Sequence, residues 1–132
     1  MSCSLVGSEM CIRDRLSYAS DAIAGFIQDL RSKKLDRKVV VLVYSEFGRR
    51  AAENANRGTD HGTANVMFLA GTPVKGGHYG KHPNLKDISI NENVDFTVDF
   101  RQVYGTVLDE WLKLDQLMVL DSRFEPFNMI IG

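Results

Sequence analysis

Val39-Val40-Val41-Leu42-Val43-Tyr44 is a continuous β-branched and apolar run. Such a run predicts a strand buried on both faces, as at the centre of a parallel sheet. Upstream, Leu16, Ala19, Ile23, Phe26, Ile27 and Leu30 recur at helical spacing. They predict an amphipathic helix from about Ser17 to Lys34, with basic residues in its last turn, where the helix dipole favours them. A helix joined by a few residues to a buried strand is half of a βαβ unit, so the expected class is α/β.

Downstream of the run, Ser45 to Ala64 is polar, contains Gly and Asn, and shows no periodicity. It reads as a loop too long for an ordinary connection, and long loops in compact domains are usually functional or disordered. It also starts at the carboxyl end of the buried run, where open α/β sheets place their ligands. Asn65 to Ala70 reads as a second, shorter strand, and Gly71-Thr72-Pro73 and Gly76-Gly77 mark turns. No regular pattern emerges from His78 to Asp95. Asp99 is placed as an N-cap for a helix carrying Phe100, Val103, Tyr104, Val107, Leu108, Trp111 and Leu112 on one face. Phe127 to Ile131 is apolar enough for a short closing strand or a docked end. Two helices and two or three strands cannot close a doubly wound sheet, which points to a missing N-terminal part.

The 132 residues, 44% apolar and 25% charged, describe one globular unit. The net charge of −1 lacks the basic excess of a nucleic-acid binder. No run approaches the roughly 18 apolar residues that span a membrane. Leu5 to Arg15 (LVGSEMCIRDR) is the reading of a common transposon-based sequencing adapter, and a chance match of that length is implausible. Residues 1–15 are therefore expected to be a non-native leader, and 16–132 the C-terminal fragment of one domain. Cys3 and Cys11 both fall in that leader and carry no expectation.

Three clusters carry candidate chemistry. Asp60-His61-Gly62 offers an oxygen and an imidazole nitrogen, a pair suited to zinc, manganese or iron rather than to calcium alone. The competing reading is a turn in which Asp60 caps an amide and His61 is merely exposed. In Ser45-Glu46-Phe47-Gly48-Arg49-Arg50, Glu46 suits a metal ligand or general base, and Arg49 or Arg50 an anion-gripping fork. Its plain alternative is Glu46 paired with Arg49. Val74-Lys75-Gly76-Gly77 presents amides beside a lysine, a candidate anion nest or a simple turn. His78 and His82 read as loop histidines.

In order, VVVLVYSEFGRR, GTDHGTA, MFLAG with VKGG, DFRQVYGTVLDEWL and RFEP resemble domain-of-unknown-function family 1501, grouped with the alkaline phosphatase and sulfatase superfamily. The similarity covers Leu16 to Ile131. It implies the C-terminal part of an α/β/α sandwich with a mostly parallel central sheet and a divalent-metal site (zinc, manganese, iron or calcium) at the strand ends. By this resemblance Glu46, Asp60 and His61 would hold metal, Arg49 and Lys75 would steady an anionic ester substrate, and Glu46 and Arg49 would serve catalysis. The expected activity is hydrolysis of phosphate or sulfate esters, with the nucleophile upstream and the fragment itself inactive. Many relatives look exported, so a periplasmic or exported location is implied for the full-length protein. Phe47 departs from the pattern, because it stands where the superfamily has a metal-binding histidine. That departure supports the alternative: an exported, non-catalytic binding or assembly protein.

Overall fold

A computed structural model describes residues 5–85 and 93–131. The chain divides into two units, Met1–Val39 and Val40–Gly132.

The first unit is helix α1 (Leu5–Ser32) followed by a 3-10 turn at Asp36–Lys38. The apolar spacing foresaw this helix from Ser17, and its end is a C-terminal lock made without glycine. Lys34 takes a left-handed φ of 56°. The Leu35 amide then reaches back to Leu30 O at 2.9 Å, and the Lys34 amide to Arg31 O at 3.0 Å. This pairing satisfies carbonyls that the last turn would otherwise leave open.

In the second unit β1 (Val41–Val43), β2 (Gly48–Glu53), β3 (Thr59–Gly62) and β4 (Phe68–Ala70) form two ribbons, one nested inside the other. β1 pairs antiparallel with β4 in the register Val41↔Ala70, Leu42↔Leu69, Val43↔Phe68. β2 pairs antiparallel with β3. The expectation of an α/β/α sandwich with a mostly parallel central sheet is overturned: among the described residues there are two antiparallel sheets of two strands each. The reason is physical. A continuous valine run shows only that both faces meet apolar groups, not how many strands flank it or in which direction. All three β1 residues are in fact half-buried. The stretch read as a long loop is mostly the inner hairpin.

Asp99 caps helix α2 (Phe100–Thr106) as expected, its carboxylate accepting from the Arg101 amide at 2.9 Å. The helix widens into a π-helical stretch, Val107–Leu112, and stops where Lys113 turns left-handed. A short helix α3 (Leu117–Leu120) follows. The core of this unit contains Val94, Leu108, Met129 and Ile130, with Thr106 and Gln116 buried among them.

The tail from Phe124 to Ile131 is fastened along the helix by side chains rather than by a sheet. Gln102, Thr106 and Glu110 stand four residues apart, on one helical stripe. They bind Glu125 O, the Phe127 amide and the Ile130 amide at 3.4, 3.0 and 2.8 Å. On its other side the tail docks on Pro73–Lys75 through an isolated bridge and, among the described residues, forms no strand. Val74 bridges Ile130, the Lys75 amide donates to Met129 O at 2.8 Å, and the Ile131 amide donates to Pro73 O. Part of the irregular stretch after His78, residues 86–92, lies outside the described residues. No helix among the described residues is long and apolar enough to cross a membrane.

Candidate functional site

The inner hairpin is built by its turn. Asn54 Oδ1 accepts from the amides of Asn56 at 3.0 Å and Gly58 at 3.1 Å. The Asn54 amide donates to Gly58 O at 2.8 Å, and Arg57 takes the left-handed φ of 59° that this closure needs. Asparagine suits this position because its short amide can bond backbone groups nearby. The ladder is irregular between Arg49 and Glu53, where β2 carries extra residues opposite Asp60.

The hairpin's other end rests on two glycines. Gly48 and Gly62 are register partners. A Cβ on Gly48 would overlap the Ala64 carbonyl, and one on Gly62 would lie 2.8 Å from the carbonyl carbon of Arg49. Neither position has room for a side chain. Thr63 Oγ1 donates to Val94 O at 2.6 Å and ties the hairpin's exit to the core.

Arg49 and His61 are the next register pair, so their side chains share one face. The Phe47 ring lies on the imidazole, with centroids 3.7 Å apart and planes 14° from parallel. The Arg49 guanidinium sits 5.3 Å from the Phe47 centroid and donates from Nη1 to Thr59 O. That anchor leaves most of its donor fork uncommitted. His61 is exposed, and among the described residues neither ring nitrogen has a hydrogen-bond partner.

Asp60 is directed elsewhere. Successive strand residues face opposite sides, and the Asp60 carboxylate accepts from Asn54 Nδ2 at 2.8 Å. Glu46 is exposed in the β1–β2 connection, and its carboxylate has no ion pair or hydrogen bond among the described residues. Among the described residues the ion pairs are Asp29–Lys33, Asp99–Arg101 and Asp115–Arg123, and they leave both Glu46 and Arg49 out. Arg50 has a buried Nε that lacks a hydrogen-bond partner among the described residues. Lys75 lies on the tail ladder, its amide already engaged by Met129 O. His78 and His82 stack on each other at 4.4 Å. Their nearly parallel planes send the in-plane lone pairs side by side, not toward one shared point.

The donor set does not fit a metal ion. Among the described residues no three His, Cys, Asp or Glu side chains converge. Asp60 and His61, adjacent on a strand, diverge. What the hairpin face does supply is an arginine and a histidine opposite each other in the ladder and on one face, residue types that suit the oxygens of an anion. Sequence reasoning singled out both residues but missed that the ladder pairs them. It also missed Asn54 and Asn65, whose amides organise the hairpin; the turn-forming string Glu53-Asn54-Ala55-Asn56-Arg57-Gly58 was the available signal.

This is a small α-and-β chain with an arginine–histidine register pair on an exposed hairpin face. Over residues 12–122 it matches the family described as protein of unknown function (DUF1501), and it belongs to that family. The match spans the hairpin, Lys75 and all of α2. No curated protein and no solved structure matches the chain.

Proposed function

We propose that the Arg49–His61 face binds the anionic group of a phosphate or sulfate ester, and that the protein carrying it hydrolyses that ester. The observation that carries this reading is the register pair itself: an arginine and a histidine opposite each other on one exposed face, the imidazole nitrogens without a partner among the described residues. Arg49 would grip two oxygens through its remaining donors and offset their charge. His61, on the same face, would pass a proton to the departing oxygen. Glu46, exposed on the adjoining connection, is the carboxylate available as a base. No step is assigned to a metal, since these residues do not form a cage for one. The nucleophile is assigned to residues upstream of this chain, in line with the superfamily resemblance.

The test is turnover of an aryl phosphate and an aryl sulfate by a polypeptide that includes this chain and its upstream partner sequence. Arg49→Ala and His61→Ala should each lower kcat/KM at least tenfold. Turnover unchanged in both variants would remove the hairpin from the active site. A second reading, an exported non-catalytic binding or assembly protein, draws support from Phe47, which stands where the superfamily resemblance expects a ligand. Saturable phosphate binding with no turnover of either ester would favour it.

A further inference from the structure

The connection that delivers Phe47 is clamped by its neighbours. Asn65 Nδ2 donates to Ser45 O at 2.7 Å and to Phe47 O at 3.3 Å. One residue on, Gly48 lies flat against the Ala64 backbone, and the Arg49 amide donates to Ala64 O at 3.3 Å. The Phe47 ring therefore leaves a fixed backbone and meets a strand residue, His61, that is itself fixed by the ladder.

The contact it makes differs from those among the molecule's phenyl and phenol rings. Tyr44–Tyr104, Phe100–Tyr104 and Tyr79–Phe127 all meet edge to face, the arrangement that ring quadrupoles favour. Phe47 and His61 are instead nearly parallel and close. An exposed histidine on a strand samples several rotamers. A face-on ring removes that freedom, while the imidazole nitrogens lie in the ring plane and stay open at its edge.

We infer that Phe47 is a positioning residue: held by the Asn65 clamp, its ring fixes the plane of the His61 imidazole, opposite Arg49 in the ladder, and leaves both nitrogens open to the anion. This rests on the reading of that face as an anion site.

The experiment is NMR of the His61 ring protons in the full chain, in wild type, Phe47→Leu, Phe47→Tyr and Asn65→Ala, with inorganic phosphate titrated into each. The wild-type ring protons should sit upfield of a free histidine, move downfield in Phe47→Leu, and stay in place in Phe47→Tyr. Freeing one side chain costs about 0.5–1.5 kcal/mol on binding, so phosphate should bind roughly two- to tenfold more weakly in Phe47→Leu and normally in Phe47→Tyr. Asn65→Ala should move both quantities in the direction of Phe47→Leu. The inference is overturned if Phe47→Leu leaves either the ring-proton positions or the phosphate affinity at wild type. A wild-type chain with the Phe47-dependent shift but no response to phosphate overturns the anion reading and the positioning role with it.

Discussion

Gln116 folds its amide onto the backbone of Phe124: Nε2 donates to Phe124 O at 3.1 Å, and Oε1 accepts from the Phe124 amide at 2.8 Å. The same Nε2 also donates to Asp109 Oδ2. The side chain is 2% exposed, so no water replaces these bonds when they are lost. Gln116→Leu should lower stability by about 2–4 kcal/mol, because it orphans an amide, a carbonyl and a carboxylate oxygen in the interior. Gln116→Glu should be worse at neutral pH, where it faces Asp109 with like charge, and should recover partly as the solution is acidified. Denaturant unfolding at two pH values checks both; equal stability of wild type and Gln116→Leu would show the pairing contributes nothing.

Gly48→Ala should part the hairpin from Ala64, since backbone atoms cannot yield as a flexible side chain would. The expected loss is at least about 3 kcal/mol, the upper end for overpacking. The His61 ring protons should lose their upfield position in the same variant. A crystal or NMR structure of Gly48→Ala with an unmoved hairpin would contradict this.

Asp99 gives a pH dependence with a definite sign. The hydrogen bond from the Arg101 guanidinium holds its carboxyl below the usual 3.8, against a smaller opposing push from burial. A lowered value in the folded state stabilises the protein above the unfolded value of about 3.9, and that contribution disappears as the pH falls through the lower, folded one. Asp99→Ala should cost about 1 kcal/mol at neutral pH through loss of the cap. Asp99→Asn should keep most of the cap yet flatten the acid limb of the stability curve. Thermal melts between pH 2 and pH 6, roughly the window set by those values, decide it.

Asp60 and His61 should behave differently despite being neighbours. His61→Ala should abolish the phosphate response, whereas Asp60→Ala should leave it within about twofold and loosen only the turn, at about 0.5–1.5 kcal/mol or less for one exposed hydrogen bond. Parallel loss of binding in both variants, restored by zinc or manganese, would instead indicate a shared metal.

Some of this was legible in the residues. Asp99 followed by an apolar stripe announced α2, and the apolar tail announced a docked end but not where it docks. The inner hairpin was not legible, because Arg49, Arg50, Ala51 and Ala52 are not strand formers and their alternation of exposed and inward positions appears only once β3 lies beside them. The direction of β1's neighbour was not written in its valines either. For the site, Arg49 and His61 could be chosen one at a time. Their pairing depends on a register that the Asn54 turn sets, and the Phe47 platform on a clamp from Asn65, both of which are three-dimensional facts.

The fastening of the tail bears on how the molecule comes into being during synthesis. Two of its buried apolar side chains, Met129 and Ile130, belong to the segment that Gln102, Thr106 and Glu110 grip. At about 5–20 residues per second, the Pro73–Lys75 ladder waits on the order of seconds for Met129 and Ile131 to be added. Until then the polar stripe of α2 faces an empty trough, so a nascent chain stalled before Phe124 has its helix sequence complete but not its interior. Chaperone capture and proteolysis during translation should therefore concentrate in that interval.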